Sequence, residues 1–452
     1  MQAINPATMK LVAEYKEHSP QETEEILHHV QETWMDWKDT HISERKRFML
    51  NIAALLRQEK MRIGELITTE MGKILSESVA EVEKCAWVCE YFAEEAEQML
   101  KDENFVSDGK RAFASFEPLG IVLAVMPWNF PFWQVFRFAA PGLMAGNACV
   151  LKHASNVPGC ALEIESLFCR AEFPENLFRS LLIPGNRVAK VIEHKFVRAV
   201  TLTGSELAGS QVASTAGREI KKTLLELGGS DAYIIMGDAD LESCAHTAVT
   251  ARMLNAGQSC IAAKRFLVED SIHDAFLDII YNKIKALKVG DPMDPVTDIG
   301  PLARPDLCEE LHDQVVRSVE MGAQVIVGGQ KITGTSCFYE PTLITGVDSS
   351  MPVFTEETFG PVLPLIRISG EEEAIALAND SEFGLGGSIW TGDKERGIRM
   401  ARQIETGAVF INGMTKSDPR LPFGGVGKSG YGRELSYYGI KEFVNIKTIW
   451  VG

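Results

Sequence analysis

The chain has 452 residues, too many for one compact core, so two or three domains are expected. Apolar residues at 45% and charged residues at 24% are the proportions of a water-soluble globular protein. A formal charge of −17 with no cluster of Lys and Arg argues against nucleic acid or anionic lipid as a partner.

From Pro20 to Leu100 the sequence reads as mainly helical. Gln21-Glu22-Thr23-Glu24-Glu25 supplies an acidic first turn, and Phe48, Ile52, Leu55 and Leu56 recur at three and four. Two further helical stretches follow, around Ile63 to Met71 and Ser76 to Leu100. Phe113 to Phe116 then reads as a strand, and Gly120 to Met126 is the continuous apolar run of a strand buried on both faces.

Beyond it, apolar runs at Ala148 to Lys152, Ala199 to Thr203, Lys222 to Glu226 and Ala232 to Met236 alternate with helical segments. That alternation predicts a parallel, doubly wound sheet. A second series follows Cys260, near Lys264 to Val268, Gln324 to Val327 and Val362 to Ile366, and predicts a second α/β domain. No Pro/Ser-rich linker separates the two, so a tight boundary is expected near Leu227 to Ser230.

The nine cysteines are scattered, with no Cys-x-x-Cys pair and no His at metal spacing, which suits a reducing compartment and no metal site. Cys85 and Cys89, four apart, read as two small apolar residues of a helix stripe. The strongest apolar run, Leu119 to Trp133, is interrupted by Pro127, Asn129 and Pro131, so no membrane span or signal segment is expected. A cytoplasmic protein is inferred.

Two segments carry chemistry. Asn255-Ala256-Gly257-Gln258-Ser259-Cys260 presents a thiol, and Leu225-Glu226-Leu227-Gly228-Gly229 presents a carboxylate 34 positions earlier. A nucleophilic thiol and a carboxylate that activates water are the two groups needed to oxidise an aldehyde through a covalent thioester. Each has a plain reading too, a buried small hydrophobe for Cys260 and a sheet-end carboxylate for Glu226. The apolar neighbours and tight turn at Glu226 imply partial burial and a raised pKa. Asn129, in Pro127-Trp128-Asn129-Phe130-Pro131, is either a turn-forming Asn or a neutral donor to an oxyanion. Thr203-Gly204-Ser205 follows a strand and opens a helix whose free N–H groups suit a phosphate.

Together with Glu357-Thr358-Phe359-Gly360-Pro361, these segments resemble the aldehyde dehydrogenase superfamily, from Ile4-Asn5-Pro6-Ala7-Thr8 to the last residues. The resemblance implies a doubly wound dinucleotide-binding domain (1–103 and 119–228), an α/β catalytic domain (229–430), and a small β oligomerisation arm (104–118 and 431–452) giving a homodimer or homotetramer. It makes Cys260 the nucleophile, Glu226 the base and Asn129, with the Cys260 N–H, the oxyanion donor. NAD or NADP would be held by Trp128, Lys152, Ser155, Gly204, Ser205, Leu227, Glu357 and Phe359. Ser155 stands where NAD-preferring relatives carry a Glu, which removes a repulsion toward a 2′-phosphate and leaves the preference open. The usual Lys-Pro at the ribose site is Lys152-His153, His153 reading as a pocket or a satisfied residue, and the expected Gly-rich turn is reduced to Pro184-Gly185-Asn186-Arg187.

Within the superfamily the chain is most similar to the NAD(P)-dependent succinate-semialdehyde dehydrogenases. Arg137 and Ser417, with Phe423 beside them, match residues that bind the substrate, the first two its distal carboxylate. A helix salt bridge is the alternative for Arg137. The second carboxylate-binding Arg of many relatives is Leu254 here, and Arg252, Lys416 or Arg420 are candidate substitutes. Ala262 replaces a redox-regulating Cys of some relatives. Other aldehydes stay open, as does a CoA-acylating enzyme, which Glu226 disfavours. A non-catalytic member is disfavoured by the intact Cys260, Glu226 and Asn129.

Overall fold

The computed structural model describes residues 1–332, 334 and 337–452. Three helices open the chain after a hairpin of Gln2–Asn5 and Lys10–Glu14: Pro20–Trp37, Ile42–Met71 and Leu75–Met99. Ser19 starts the first with a reciprocal cap, its hydroxyl accepting from the Glu22 N–H while the Glu22 carboxylate accepts from the Ser19 N–H. The stretch expected separately at Ile63 to Met71 is continuous with the preceding helix. Gly64, which weakens that helix in sequence, is its contact point with the next: a Cβ there would stand 2.8 Å from Val79 Cγ2.

The first sheet has six strands in the order Gly430–Tyr431, Lys222–Glu226, Val197–Thr203, Ile121–Met126, Ala148–His153 and Phe178–Ser180. All neighbours are parallel except the first pair. The chain winds outward from Ile121–Met126 in one direction, then returns to Val197–Thr203 on its other side. The carboxyl ends of these two strands therefore flank a switch point, the place where open α/β sheets bind ligands. Pro127-Trp128-Asn129 leaves one end and Gly204-Ser205 the other.

The second sheet has seven strands in the order Gln324–Val327, Thr342–Thr345, Val362–Ile368, Ala263–Glu269, Asp231–Ile235, Gly386–Trp390 and Ala408–Ile411. Asp231–Ile235 thus lies in this sheet, between Ala263–Glu269 and Gly386–Trp390, and not in the series with Lys222 to Glu226 as its position in sequence suggested. The chain crosses from one sheet to the other at Leu227-Gly228-Gly229-Ser230. Thr342–Thr345, Gly386–Trp390 and Ala408–Ile411 had no distinct sequence signal, the middle one because Gly386 and Gly387 erase the apolar pattern of a strand.

Each sheet has its own buried core, one joined to the N-terminal helices and the other to helices between Leu241 and Ala401. A third sheet, Glu103–Phe105, Arg111–Pro118 and Val444–Val451, stands apart in pattern, with Phe105, Ile446 and Trp450 exposed. Among the described residues no helix is long and apolar enough to cross a membrane.

Candidate active site

Two cavities meet at Cys260. The larger, about 690 Å³, is lined by Trp128, Asn129, Thr203, Gly204, Ser205, Leu227, Glu357 and Phe359 among others. The smaller, about 210 Å³, is bounded by Lys84, Trp133, Arg137, Leu254, Ser417 and Phe423, with Phe130 and Ile261. Cys260 and Gln134 border both.

The loop that carries Cys260 is held in an unusual backbone shape. Asn255, Ala256 and Gly257 have φ of 54°, 50° and 77°, three successive left-handed residues. Asn tolerates that region and Ala does not, so the turn is strained and needs support. Gly257 packs against the Gly360 carbonyl, leaving no space for a side chain. Arg252 clamps the back of the loop, donating to the carbonyls of Gly257 (2.9 Å), Thr358 (3.1 Å) and Ala263 (3.0 Å). Gln258 donates to Asn255 O and accepts from the Ala303 N–H, so this motif residue braces the turn. Lys264, buried, donates to the carbonyls of Ser259 (3.0 Å) and Cys260 (2.7 Å) and pairs with Glu357 at 3.1 Å.

Asn129 is tied to the same loop. Its Nδ2 donates to Gln258 O at 3.1 Å, and its carbonyl accepts from Asn255 Nδ2 at 2.8 Å. The helix Trp133–Met144 that follows is anchored from another element: Glu81 accepts from the Phe132 and Trp133 N–H groups and pairs with Lys73. Cys260 is half-buried, and desolvation pushes its thiol up to about 12 against the pull of Arg137 and Lys264.

Glu226 ends its strand fully enclosed, lining neither cavity; its Oε1 lies where a Gly424 side chain would begin. Neither oxygen has a hydrogen-bond partner among the described residues. Burial first, and Glu434 next, raise its pKa well above the ordinary carboxylate range, while Arg137 and Arg433 oppose. To act on a group at Cys260 the side chain must turn toward the cavities.

The substrate-site expectations fare unevenly. Ser417 is in the small cavity, accepting from Lys84 Nζ at 2.8 Å and from Trp133 Nε1 at 3.0 Å. Phe423 is there too, its ring 4.6 Å from the Arg137 guanidinium. Arg137 borders the cavity but is ion-paired with buried Glu434 and donates to Thr203 Oγ1 at 3.2 Å, a pairing between distant segments and not a bridge within its helix. Of the three candidate substitutes for the missing second Arg, Arg252 serves the nucleophile loop and Arg420 pairs with Asp418; Lys416 borders the cavity, exposed to water.

Among the cofactor expectations, Lys152 and Ser155 lie outside the large cavity's lining. Lys152, the last residue but one of Ala148–His153, pairs in register with Val125 and is buried with a lowered pKa and no ion pair among the described residues. Ser155 is exposed just beyond. His153 is a satisfied residue: Nε2 donates to Pro131 O at 2.8 Å, Nδ1 accepts from the Ala154 N–H, and burial lowers its pKa to about 4. Arg187 donates to Thr23 Oγ1 at 3.1 Å and to the His18 carbonyl, fastening the first helix. Trp128 and Phe359 meet edge to face at 5.9 Å across the large cavity.

Three residues had no signal strong enough to single them out: Lys84, Lys264 and Glu434. Lys84 follows Glu81 by three on a helix and reads as a surface pair, yet Glu81 is given to Lys73. One trio with ligand atoms close enough for a metal ion, Glu24, His28 and His194, is formed by side chains outside both cavities.

Comparison with known proteins matches residues 1–449 to the aldehyde dehydrogenase family. A probable NADP-dependent succinate-semialdehyde dehydrogenase of Synechocystis sp. is 50% identical over 448 residues, 99% of each chain. An NADP-dependent succinate-semialdehyde dehydrogenase of Mycolicibacterium paratuberculosis is 48% identical over 454 residues, covering 99% of this chain and 96% of that one. The crystal structure of succinic semialdehyde dehydrogenase from Streptococcus pyogenes, in complex with NADP, superposes with a TM-score of 0.97 at 38% identity, covering 100% of this chain and 99% of that chain.

Proposed function

The chain belongs to the aldehyde dehydrogenase family, and we propose that it oxidises succinate semialdehyde, or a close ω-carboxy aldehyde, to the acid with NADP or NAD as the hydride acceptor. The observation that carries this reading is the position of Cys260 where a large cavity meets a small, mainly apolar one bordered by Lys84, Arg137 and Lys416 and by Glu77 and Glu81. The relatives named above as succinate-semialdehyde dehydrogenases supply the substrate.

The large cavity fits a dinucleotide. It offers the N-terminus of the 13-residue helix Glu206–Arg218 beside Gly204 and Ser205 for phosphates, and Trp128, Leu227 and Phe359 for the nicotinamide end. Glu357, which accepts from the Gly229 N–H at 3.0 Å, would hold the ribose there. Lys152, a buried cation without a carboxylate, with Ser155 beyond it, suits the adenosine ribose and an added 2′-phosphate. A dinucleotide bound there would supply the acceptor for the hydride that leaves the aldehyde carbon.

Everything else falls to this chain. Cys260 releases its proton to solvent water and its sulfur bonds to the carbonyl carbon, whose oxygen gains the electron pair and is held by the Asn129 amide and the Cys260 N–H. With the thiol near 12, thiolate is scarce in this conformation, so proton removal contributes to the barrier of the first step. Hydride loss leaves a thioester on Cys260. Glu226, turned inward and deprotonated, takes a proton from water as the oxygen bonds to the acyl carbon; the C–S bond then breaks, freeing the acid and the thiolate.

We divide the chain as the family pattern divides it, with 1–103 and 119–228 binding cofactor, 229–430 catalytic, and 104–118 with 431–452 an arm for a homodimer or homotetramer. The nine cysteines, all free thiols, suit a reducing cytoplasm. The deciding experiment follows the absorbance of reduced cofactor with succinate semialdehyde, glutarate semialdehyde, butanal and benzaldehyde, each with NADP and NAD. Succinate semialdehyde should give the highest kcat/KM; a higher value for a neutral aldehyde would refute the substrate.

A further inference from the structure

Resting on the reading that the large cavity takes a dinucleotide, we propose that Lys264 is a positioning residue linking that cofactor to the nucleophile: a ribose held by Glu357 frees the Lys264 charge to favour the Cys260 thiolate.

Lys264 is the second residue of the strand Ala263–Glu269, and its side chain is 1% exposed. Its ammonium has three N–H groups and meets three partners. The carbonyls of Ser259 and Cys260 accept at 3.0 and 2.7 Å, and Glu357 Oε1 lies at 3.1 Å. Two of these belong to the nucleophile loop and the third to the wall of the large cavity. Among the described residues Glu357 is the one ion-pair partner of Lys264. Burial lifts the Asp231 carboxyl to about 6 and Lys264 opposes that rise, but Asp231 is turned to the Gly386 N–H at 3.0 Å. A buried ammonium that shares its counter-ion with a ligand exerts a stronger field once the ligand binds.

Glu357 divides its two oxygens. Oε1 accepts from the Gly229 N–H at 3.0 Å and faces Lys264. Oε2 accepts no hydrogen bond among the described residues, and the side chain is 22% exposed. A ribose hydroxyl can therefore donate to Oε2 without displacing either protein partner. That donation draws negative charge from the carboxylate and leaves less of it to cancel Lys264.

The thiol feels both groups. Against burial, which lifts the Cys260 thiol to about 12, Arg137 and Lys264 pull down while Glu357 and Glu226 push up. Arg137 is paired with Glu434, and burial keeps Glu226 neutral. Of these four, Glu357 alone lines the large cavity, so it is the one a dinucleotide can reach. Other charges stand on the cavity walls, Glu77, Glu81, Lys84 and Lys416 on the small one and Glu206, Arg304, Glu310, Glu356 and Glu382 on the large one, and they weigh less on the thiol. Arg252 fastens the Cys260 and Glu357 segments together through the Gly257 and Thr358 carbonyls, which keeps their spacing when Lys264 is replaced.

The test alkylates Cys260 with iodoacetamide at pH 8, with and without NADP at a saturating level set by calorimetry, and follows its peptide by mass spectrometry. Wild type, Lys264→Gln, Glu357→Gln and the double variant are compared, with Cys169, exposed on Pro158–Arg170, as internal standard. Cys260 also borders the small cavity, so the reagent has a route when the large one is filled. Below the midpoint of titration the rate follows the thiolate fraction, and one pKa unit reads as about tenfold. NADP should speed the wild type several-fold. Lys264→Gln, which keeps a donor and loses the charge, should slow Cys260 about tenfold, a shift of about one unit, and lose the response to NADP while still binding it. Glu357→Gln should speed Cys260 without NADP and also lose the response, the double variant should fall between the two, and Cys169 should not change. A purely structural role would move both single variants the same way, which would overturn the link, as would an NADP response retained in Lys264→Gln. If Lys264→Gln does not fold, Glu357→Gln decides, slower alkylation or a retained response there overturning the link. A wild type that binds NADP with no gain in the Cys260 rate would overturn the link and leave the cofactor reading intact. A wild type that binds neither NADP nor NAD would overturn the cofactor reading and the link with it.

Discussion

Arg137 and Glu434 form a fully buried ion pair, Arg137 bordering the same cavity as Cys260, with the Glu434 backbone also pairing with Phe423. Removing one member of such a pair is far more damaging than removing both, since the survivor is left charged and unpartnered. Burial already holds Glu434 above the ordinary carboxylate range, and Arg137 opposes that shift. Arg137→Met should therefore drive Glu434 to keep a proton. A carboxyl with a folded-state pKa above its unfolded value costs stability as pH rises from the unfolded value toward the folded one. The variant should melt below the wild type, with a gap that widens with pH, and lose activity on succinate semialdehyde and butanal alike. Adding Glu434→Gln should recover melting temperature. A loss confined to succinate semialdehyde would assign the substrate's carboxylate to Arg137.

The two chemical steps separate by mutation. Cys260→Ala should abolish dehydrogenase activity. Glu226→Gln should give a burst of reduced cofactor close to one equivalent per site, then turnover slowed at least a hundredfold, within the usual range for a lost general base. Because Glu226 is held neutral well above the usual range, wild-type deacylation should speed up as pH rises, and that limb should vanish in Glu226→Gln. Rapid-mixing absorbance across a pH series reads both phases. Full steady-state turnover in Glu226→Gln would assign the base elsewhere.

Much of this site could be read from the chain because its chemistry is packed into contiguous segments. Cys260 and Asn129 each lie in a motif, Asn129 beyond the carboxyl end of Ile121–Met126 in the first sheet and Cys260 just before Ala263–Glu269 of the second. The rest depends on tertiary arrangement. Lys84 is a helix residue with an acid three positions before it, the pattern of a solvated face, and only the packing of Leu75–Met99 against Trp133–Met144 turns it toward the cavity. Arg252 was a reasonable substitute for a missing Arg two residues away, but its helix points it at four backbone carbonyls instead. Ala232 to Met236 was read into the first alternating series although the expected boundary at Leu227 to Ser230 precedes it, since hydrophobic runs record burial and not neighbours.

We propose that cofactor choice turns on Ser155. It lies three residues past Lys152, exposed, just beyond the carboxyl end of Ala148–His153 in the first sheet. A carboxylate at this position would oppose a 2′-phosphate and compensate Lys152. Ser155→Glu should cut kcat/KM for NADP about tenfold or more relative to NAD, equivalent to about 1.4 kcal/mol. The effect should shrink at high ionic strength, since the site is open to water. An unchanged ratio would mean that the 2′-phosphate contacts a different part of the surface.

Assembly follows from the edge of the third sheet. Val444–Val451 pairs over eight residues with Arg111–Pro118, and its other edge has no partner strand among the described residues. Ile446, Trp450 and Val451 are 61%, 53% and 45% exposed. A long edge with apolar side chains invites pairing with another chain, and proteins that stay monomeric blunt such edges with charge, Pro or a bulge. Here the single Lys447 is drawn to Glu117 across the strand pair, which leaves the outer edge unprotected. A second copy of the chain, related by a two-fold axis, would cover the edge with the same surface from both sides. Light scattering at micromolar protein should give the mass of a dimer or of a tetramer built from dimers. Ile446→Asp with Trp450→Lys should lower that mass to one chain without changing the nucleophile loop, which lies on other elements. A monomeric wild type would show that the edge is tolerated uncovered and would remove the arm's proposed role.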